Sequence, residues 1–425
     1  MFRCPELRTN FALFMTIECL WAFGIWLANA STVLPNFMIR LGASTAVVGL
    51  LPALWGAGLI VGALAIGAFA VHRPQLGRFM GFCHLAAITP YLGLAALGFA
   101  ADRWSIPSWL GQSIALAMLI VFNVIIGAMM QLYLVLLGRL LPRGSRARLI
   151  AFIFGASQAT GLLGPVVASQ VFIIAGSAMS DYGRLFLTAF AFFLAGSLPF
   201  FFFKERLAAI LPPRTIRGNI AVLVRTWRSM PFLRSYVSAR IWLGGGVLAS
   251  CFLATYSRTE VAMTEHASTW LGEMVVVGEA ASCLALVLLI GTLLRRSATG
   301  PRSVYVRVQW AIQLGFMSAL ALAAIHPSVV SAITLALATG LGVAGDLVAH
   351  PNIIYESGPP RKHTDMIALA AVVLSVVTMV LPPLAGFAIE AFGHRPVFAV
   401  AVIAGIPGLA GLWRLARLGA RRVIN

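Results

Sequence analysis

The chain has 425 residues, of which 60% are hydrophobic and 10% charged, with 31 Lys and Arg against 13 Asp and Glu for a net charge of +18. A water-facing globular surface carries roughly 25% charged residues, so these figures exclude a soluble enzyme, a secreted disulfide scaffold and a disordered tail. Nor does the positive charge indicate a nucleic-acid partner, because a phosphate-binding patch must be contiguous and here the basic residues are scattered between apolar runs.

The pattern predicts an all-α polytopic membrane protein. Twelve apolar segments fall at residues 11–34, 45–70, 79–100, 110–138, 149–175, 185–203, 235–257, 268–293, 304–325, 328–355, 365–390 and 396–415. At about 20 residues per crossing each can span a bilayer. Long runs without period-two alternation can satisfy their backbone groups in lipid only as helices. Arg3 and Arg8 precede the first run, and Ala28-Asn29-Ala30 mimics a signal cleavage site. That run is longer than a signal core and contains Glu18, so it reads as a retained first span.

The longest polar connection, residues 204–234, follows six spans and precedes six more, dividing the chain into a bundle at 1–203 and a second at 235–425. Pro212-Pro213 stops any helix there. Beyond it, Ile220, Val222, Leu223, Val224 and Trp227 alternate with Arg217, Arg225 and Arg228. That composition fits a short helix lying on an anionic leaflet; a plain tether is the other reading. Cys4, Cys19, Cys83, Cys251 and Cys283 have no paired spacing and the seven histidines are scattered, so neither a disulfide framework, a metal site nor a cofactor is expected.

Basic residues set the orientation. With the N-terminus in the cytoplasm, 25 of the 31 Lys and Arg fall in or at the edge of cytoplasmic segments, five (Arg40, Arg103, Arg184, Arg258, Arg395) fall opposite, and Arg240 is the one left over. The positive-inside rule then places both termini in the cytoplasm. The chain also repeats itself: Pro142-Arg143 followed by Pro165 recurs as Pro360-Arg361 followed by Pro383, at an offset of 218 residues. Two matching halves imply a pseudo-two-fold axis along the membrane normal and a site where the halves meet.

Six spans, a long central loop, six more spans and basic turns after the even-numbered spans resemble the major facilitator superfamily, over essentially the whole chain. That family's Gly-x-Leu-Ala-Asp-Arg-x-Gly-Arg element between the second and third spans survives as Gly67, Ala70, Arg73, Gly77 and Arg78, with Val71 in the Asp place. The copy after the eighth span keeps Gly291, Leu293, Arg296, Gly300 and Arg302, with Arg295 in the Asp place. The acidic partner of the cytoplasmic gate is thus missing twice. Leu141 to Arg148 resembles the basic turn entering the fifth span, Leu163 to Ala168 the proline bend within it, and Pro35 to Gly49 the first connection of poorly characterised bacterial members. The resemblance implies a monomer in a bacterial inner membrane, with spans 1, 4, 7 and 10 lining a central cavity. It also implies a cytoplasmic gate that would include Arg73, Arg78, Arg143, Arg146 and Arg361.

An ionisable group at mid-bilayer costs about 2.5–3.5 kcal/mol on insertion scales, so each one is a functional candidate. Glu18 in the first span can take up a proton or a cation. Asp346 and His350 stand four residues apart in the tenth span and share one face, an arrangement suited to a proton relay. Arg240 in the seventh span lies at a depth similar to Asp346. The two either pair across the cavity in one transport state, or Arg240 snorkels to the headgroups while Asp346 meets water. In the eighth span Glu279 is deeper than Glu273 and is the better coupling group. Asn29, Asn123 and Gln131 can line the path, whereas Gln158 and Gln313 read as amides that hold helices together. Gly244-Gly245-Gly246 loosens the seventh span for gating or close packing, and no nucleotide-binding motif is present.

The expected function is proton-coupled secondary transport of a small solute, with no catalytic residues. The missing gate carboxylates keep a second reading open: a transport-inactive relative that serves as a membrane assembly or pigment-delivery partner.

Overall fold

Proline is tolerated at the first position of a helix because the N–H it lacks would have no intrahelical partner, and Pro5 opens the first helix in this way. The computed structural model describes residues 5–28, 30–69, 74–141, 146–175, 178–205, 215–296, 300–359 and 362–421. All regular structure among them is helical. The first half comprises α1 (Pro5–Leu27), α2 (Val33–Arg40), α3 (Thr45–Val48), α4 (Leu50–Phe69), α5 (Leu76–Arg103), α6 (Ser108–Leu140), α7 (Arg146–Gly161), α8 (Leu163–Ala175) and α9 (Met179–Ser197). After it come α10 (Ile216–Ser229), α11 (Pro231–Trp242), α12 (Val247–Thr259), α13 (Glu265–Arg296), α14 (Pro301–Ile325), α15 (Val329–Tyr355), α16 (His363–Phe392) and α17 (His394–Arg421).

Eleven stretches among the described residues are long and apolar enough to cross a bilayer, and a twelfth apolar helix, Phe152–Ala168, is shorter. The chain is a multi-pass membrane protein. Two expected spans differ in detail. The first begins at Pro5, six residues early, and ends at Leu27; Val33 to Arg40 then form a separate helix. The fifth is broken between Gly161 and Leu163. Pro165 explains the break, since a proline ring clashes with the carbonyl four residues earlier, which here belongs to Gly161, the last residue of α7.

Buried apolar residues gather into two large clusters. One runs from Phe14 to Phe200 and centres on aromatic packing, with Trp21 against Phe193 at 4.6 Å and His84 stacked on Phe200 at 4.3 Å. The other runs from Leu223 to Ala416 and includes Ala63 from α4. The halves meet along two seams, α4 against α16 and α7 with α8 against α13. In span numbering these are contacts 2–11 and 5–8. Advancing by six spans carries 2 to 8 and 5 to 11, so each seam is the other's image, as a pseudo-two-fold requires. Close approach at the first seam depends on glycine: a Cβ on Gly56 would stand 2.7 Å from the Ser375 carbonyl oxygen.

Candidate functional site

Two pairs of side chains four residues apart face each other across α11 and α15. On α11 they are Tyr236 and Arg240, and on α15 Asp346 and His350. The Arg240 guanidinium makes a two-pronged ion pair with Asp346, Nη1 to Oδ1 at 2.7 Å and Nη2 to Oδ2 at 3.0 Å. One turn toward the arginine-rich end, the Tyr236 hydroxyl and His350 Nδ1 share a hydrogen bond of 2.8 Å. The Gln309 amide of α14 joins the cluster, its oxygen accepting from Arg240 and from Gln313 and its nitrogen donating to the Gly345 carbonyl at 3.3 Å. Arg240 is 11% exposed and Asp346 51%, so the pair borders open space on its carboxylate side and is anchored in packed protein on its guanidinium side. The arrangement holds a fixed positive charge, an accessible negative one and a histidine within one turn. It can bind an ion or a polar solute group and pass a proton. Both helices belong to the second half, so the pair joins two helices of one bundle.

The same span carries a helix irregularity just beyond Arg240. Leu243 to Gly246 form one 3₁₀ turn linking α11 to α12. A Cβ on Gly245 would stand 2.9 Å from the Ala401 Cβ, and one on Gly246 2.6 Å from the Phe316 ring. Close packing against α14 and α17 accounts for both residues.

Glu279 is 1% exposed in α13, and its Oε2 has no hydrogen-bond partner. Its carboxyl faces Gln158 of α7, across the seam, with Cys283 one turn further along α13. Glu273, two turns away, is only half-buried. Glu18 of α1 faces Tyr133 of α6 and Ser157 of α7, and the Ser157 hydroxyl donates to the Glu18 backbone carbonyl at 3.3 Å. Consecutive residues of α7, Ser157 and Gln158, therefore contact the two carboxyl-bearing residues, Glu18 in the first half and Glu279 in the second.

Asn123 is buried, and its amide donates to the Leu119 carbonyl of its own helix at 2.8 Å, where α6 packs on α4. Arg78 is exposed and donates to Gln75 at 3.3 Å. Asn29, Arg73, Arg143 and Arg361 lie outside the described residues, as do the side chains of Gln131 and Arg146. Tyr236 and Gln309 also belong to the charged cluster, and neither carries a charge that singles it out in the sequence. The signal for Tyr236 was its spacing of four from Arg240, the same spacing that drew attention to Asp346 and His350.

At the end opposite the arginine-rich turns, polar contacts tie the halves together. Arg40 donates to Glu265 through Nε at 2.8 Å and Nη2 at 2.7 Å, and Tyr182 donates to the other oxygen of the same carboxylate. Donation to Glu265 holds the Arg40 guanidinium above its already high ordinary value, so it stays charged. Asn36 donates to Thr269 at 3.3 Å and accepts from Arg258 at 3.3 Å. Glu390 accepts the N–H of Ala46 at 2.8 Å, capping α3 from across the seam. At the arginine-rich end, Glu205 accepts the N–H groups of Leu76 and Gly77 at 3.0 and 2.7 Å, placing a carboxylate at the positive end of α5. Asn10 and Lys204 exchange two further hydrogen bonds, at 3.0 and 2.9 Å.

No protein-family model matches the sequence, and no curated protein does. Solved structures do match. The human organic anion transporter MFSD10 (TETRAN) aligns over 96% of this chain and 100% of its own, at a TM-score of 0.63 and 14% identity. The E. coli fucose:proton symporter FucP covers 97% and 99%, at 0.54 and 18%. A bacterial homologue of the human lysosomal transporter Spinster, inward-facing and unoccupied, covers 99% and 98%, at 0.66 and 13%. The architecture is that of a polytopic helical membrane protein, and its fold is the one these solved structures share. More narrowly, it is the major facilitator fold, two pseudo-symmetric six-span bundles.

Proposed function

We propose that the protein is a secondary active transporter that moves a small solute by alternating access, with a proton as the coupling ion. The observation that carries this reading is the Arg240–Asp346 ion pair. A charge pair within spans is costly to bury, and this one leaves its carboxylate half-exposed beside a histidine and a tyrosine, as a site for a polar ligand requires. Glu18 and Glu279 are the proton-carrying groups, and α7 relates the two. Moving one proton through 100 mV supplies about 2.3 kcal/mol, enough to bias the populations of two states several-tenfold. Bonds from Arg40 and Tyr182 to Glu265, and between Asn36 and both Thr269 and Arg258, close the end of the molecule that is exoplasmic when the termini are cytoplasmic. In a bacterial inner membrane, that is the periplasmic side.

The test starts from purified protein screened for thermal stabilisation by organic anions, nucleosides, sugars, peptides and amphipathic cations at acidic and alkaline pH, because a ligand of the folded state raises its melting temperature. Hits then go into proteoliposomes with an imposed pH gradient. Accumulation that a protonophore abolishes supports the proposal. Equilibration that ignores both pH and protonophore leaves a facilitator. A stable copurifying protein partner, with no ligand and indifference to Asp346→Asn and Glu18→Gln, replaces it with the assembly role.

A further inference from the structure

α10, in the connection between the halves, has three faces rather than two. At about 100° per residue, Asn219, Leu223 and Thr226 share one face, and all three are buried. They lie where the helix packs against α4 and α16, with the Asn219 amide donating to the Leu64 carbonyl at 3.0 Å. Adjacent to that face run Ile216, Ile220 and Val224, at 47, 46 and 45% exposure. Beyond them lie Arg217, Arg225 and Arg228, all exposed. Helix α10 contains no acidic residue, and none of these arginines forms an ion pair among the described residues. A groove of about 410 Å³ follows the boundary between the apolar and basic strips, lined by Ala221, Val224, Arg225, Arg228 and Ser229.

We propose that this groove binds the headgroup of an anionic glycerophospholipid. Arg225 and Arg228 take the phosphate, and an acyl chain lies along Ile216, Ile220 and Val224. The order of the strips carries the assignment. A helix bordered only by water has no use for three exposed branched aliphatics in a row, and one inserted only in hydrocarbon would not present unpaired arginines beside them. A boundary between the two strips at a membrane surface meets both requirements. Because α10 rests on α4 and α16, a bound lipid sits over the seam where the halves meet. The inference is independent of transport and holds for either function.

The full chain in neutral detergent is offered equimolar phosphatidylglycerol and phosphatidylcholine, and retained lipid is counted by native mass spectrometry. Preferential retention of phosphatidylglycerol is expected, falling about thirtyfold in the double variant Arg225→Gln/Arg228→Gln, the equivalent of about 1 kcal/mol for each arginine removed. Arg234→Gln, an exposed arginine of α11 outside the groove, should leave the preference unchanged. Ile220→Ser/Val224→Ser should weaken retention while keeping the headgroup preference. Should the double variant not fold, the wild-type competition alone decides. Equal retention of both lipids overturns the proposal, and so does full displacement of phosphatidylglycerol by glycerol phosphate, which would make this a free-phosphate site.

Discussion

Arg240 and Asp346 differ in exposure, 11% against 51%, and that asymmetry predicts unequal costs for removing each. Asp346→Asn strands a largely buried guanidinium and should cost about 3 kcal/mol of stability. Arg240→Gln leaves a carboxylate that water can reach, and should cost about 1 kcal/mol or less. Melting temperatures of the two variants test that order. Both should lose solute accumulation, and the exchange Arg240→Asp with Asp346→Arg should restore part of it. Failure of rescue in a well-folded exchange variant would remove the pair from the mechanism. Glu279→Gln keeps an acceptor for Gln158 but cannot carry a proton, so it should fold normally and transport with no dependence on a pH gradient. Undiminished proton coupling in that variant would exclude Glu279. The charged members of this site were legible in the sequence because lipid makes each one conspicuous. Gln309 was not, since an amide in a span more often joins helices, and only the approach of α14 to α15 brings it to the ion pair.

At the scale of elements, the latch formed by α2, α9 and α13 gives a third prediction. Two charged hydrogen bonds converge on Glu265 from the first half, so Glu265→Gln should shift the population toward an opened outer end. A cysteine introduced at Asn36, which the closed form buries completely, should then react several-fold faster with a membrane-impermeant maleimide than in the parent protein. An unchanged rate would show that packing, not this carboxylate, keeps the end shut. The latch could not be read from the chain, because Arg40 and Glu265 are 225 residues apart and looked like ordinary connection charges. α2 was hidden for a related reason. Its apolar residues Val33, Leu34, Phe37 and Met38 are buried by protein, yet in sequence the first two read as the end of the first span and the others as part of the connection that follows. The break after α7 falls at the proline bend that the resemblance implies at Leu163 to Ala168. The matching proline of the second half has no such effect, since α16 runs unbroken through Pro382 and Pro383.

For the molecule as a whole, composition, the distribution of arginines and the 218-residue repeat already implied two bundles of six spans. Which helices would meet was not legible, because the faces of near-uniformly apolar helices carry no direction. Small residues supplied it. Gly56 brings α4 to Ser375 of α16, and a bulky replacement such as Gly56→Leu should prise that seam apart and abolish expression of folded protein. Under the proposed function, two seams related by a two-fold axis would let the bundles rock about a shared line, one end opening as the other closes. Spin labels on the exposed positions Asp102 and Thr264 report the latched end, and labels on Gln75 and Glu356 report the arginine-rich end, in a background with the five cysteines replaced. Distances measured by double electron–electron resonance at acidic and alkaline pH test alternating access most directly. Alternating access requires that one pair lengthen while the other shortens. Two pairs that stay fixed, or that change in the same direction, would contradict it.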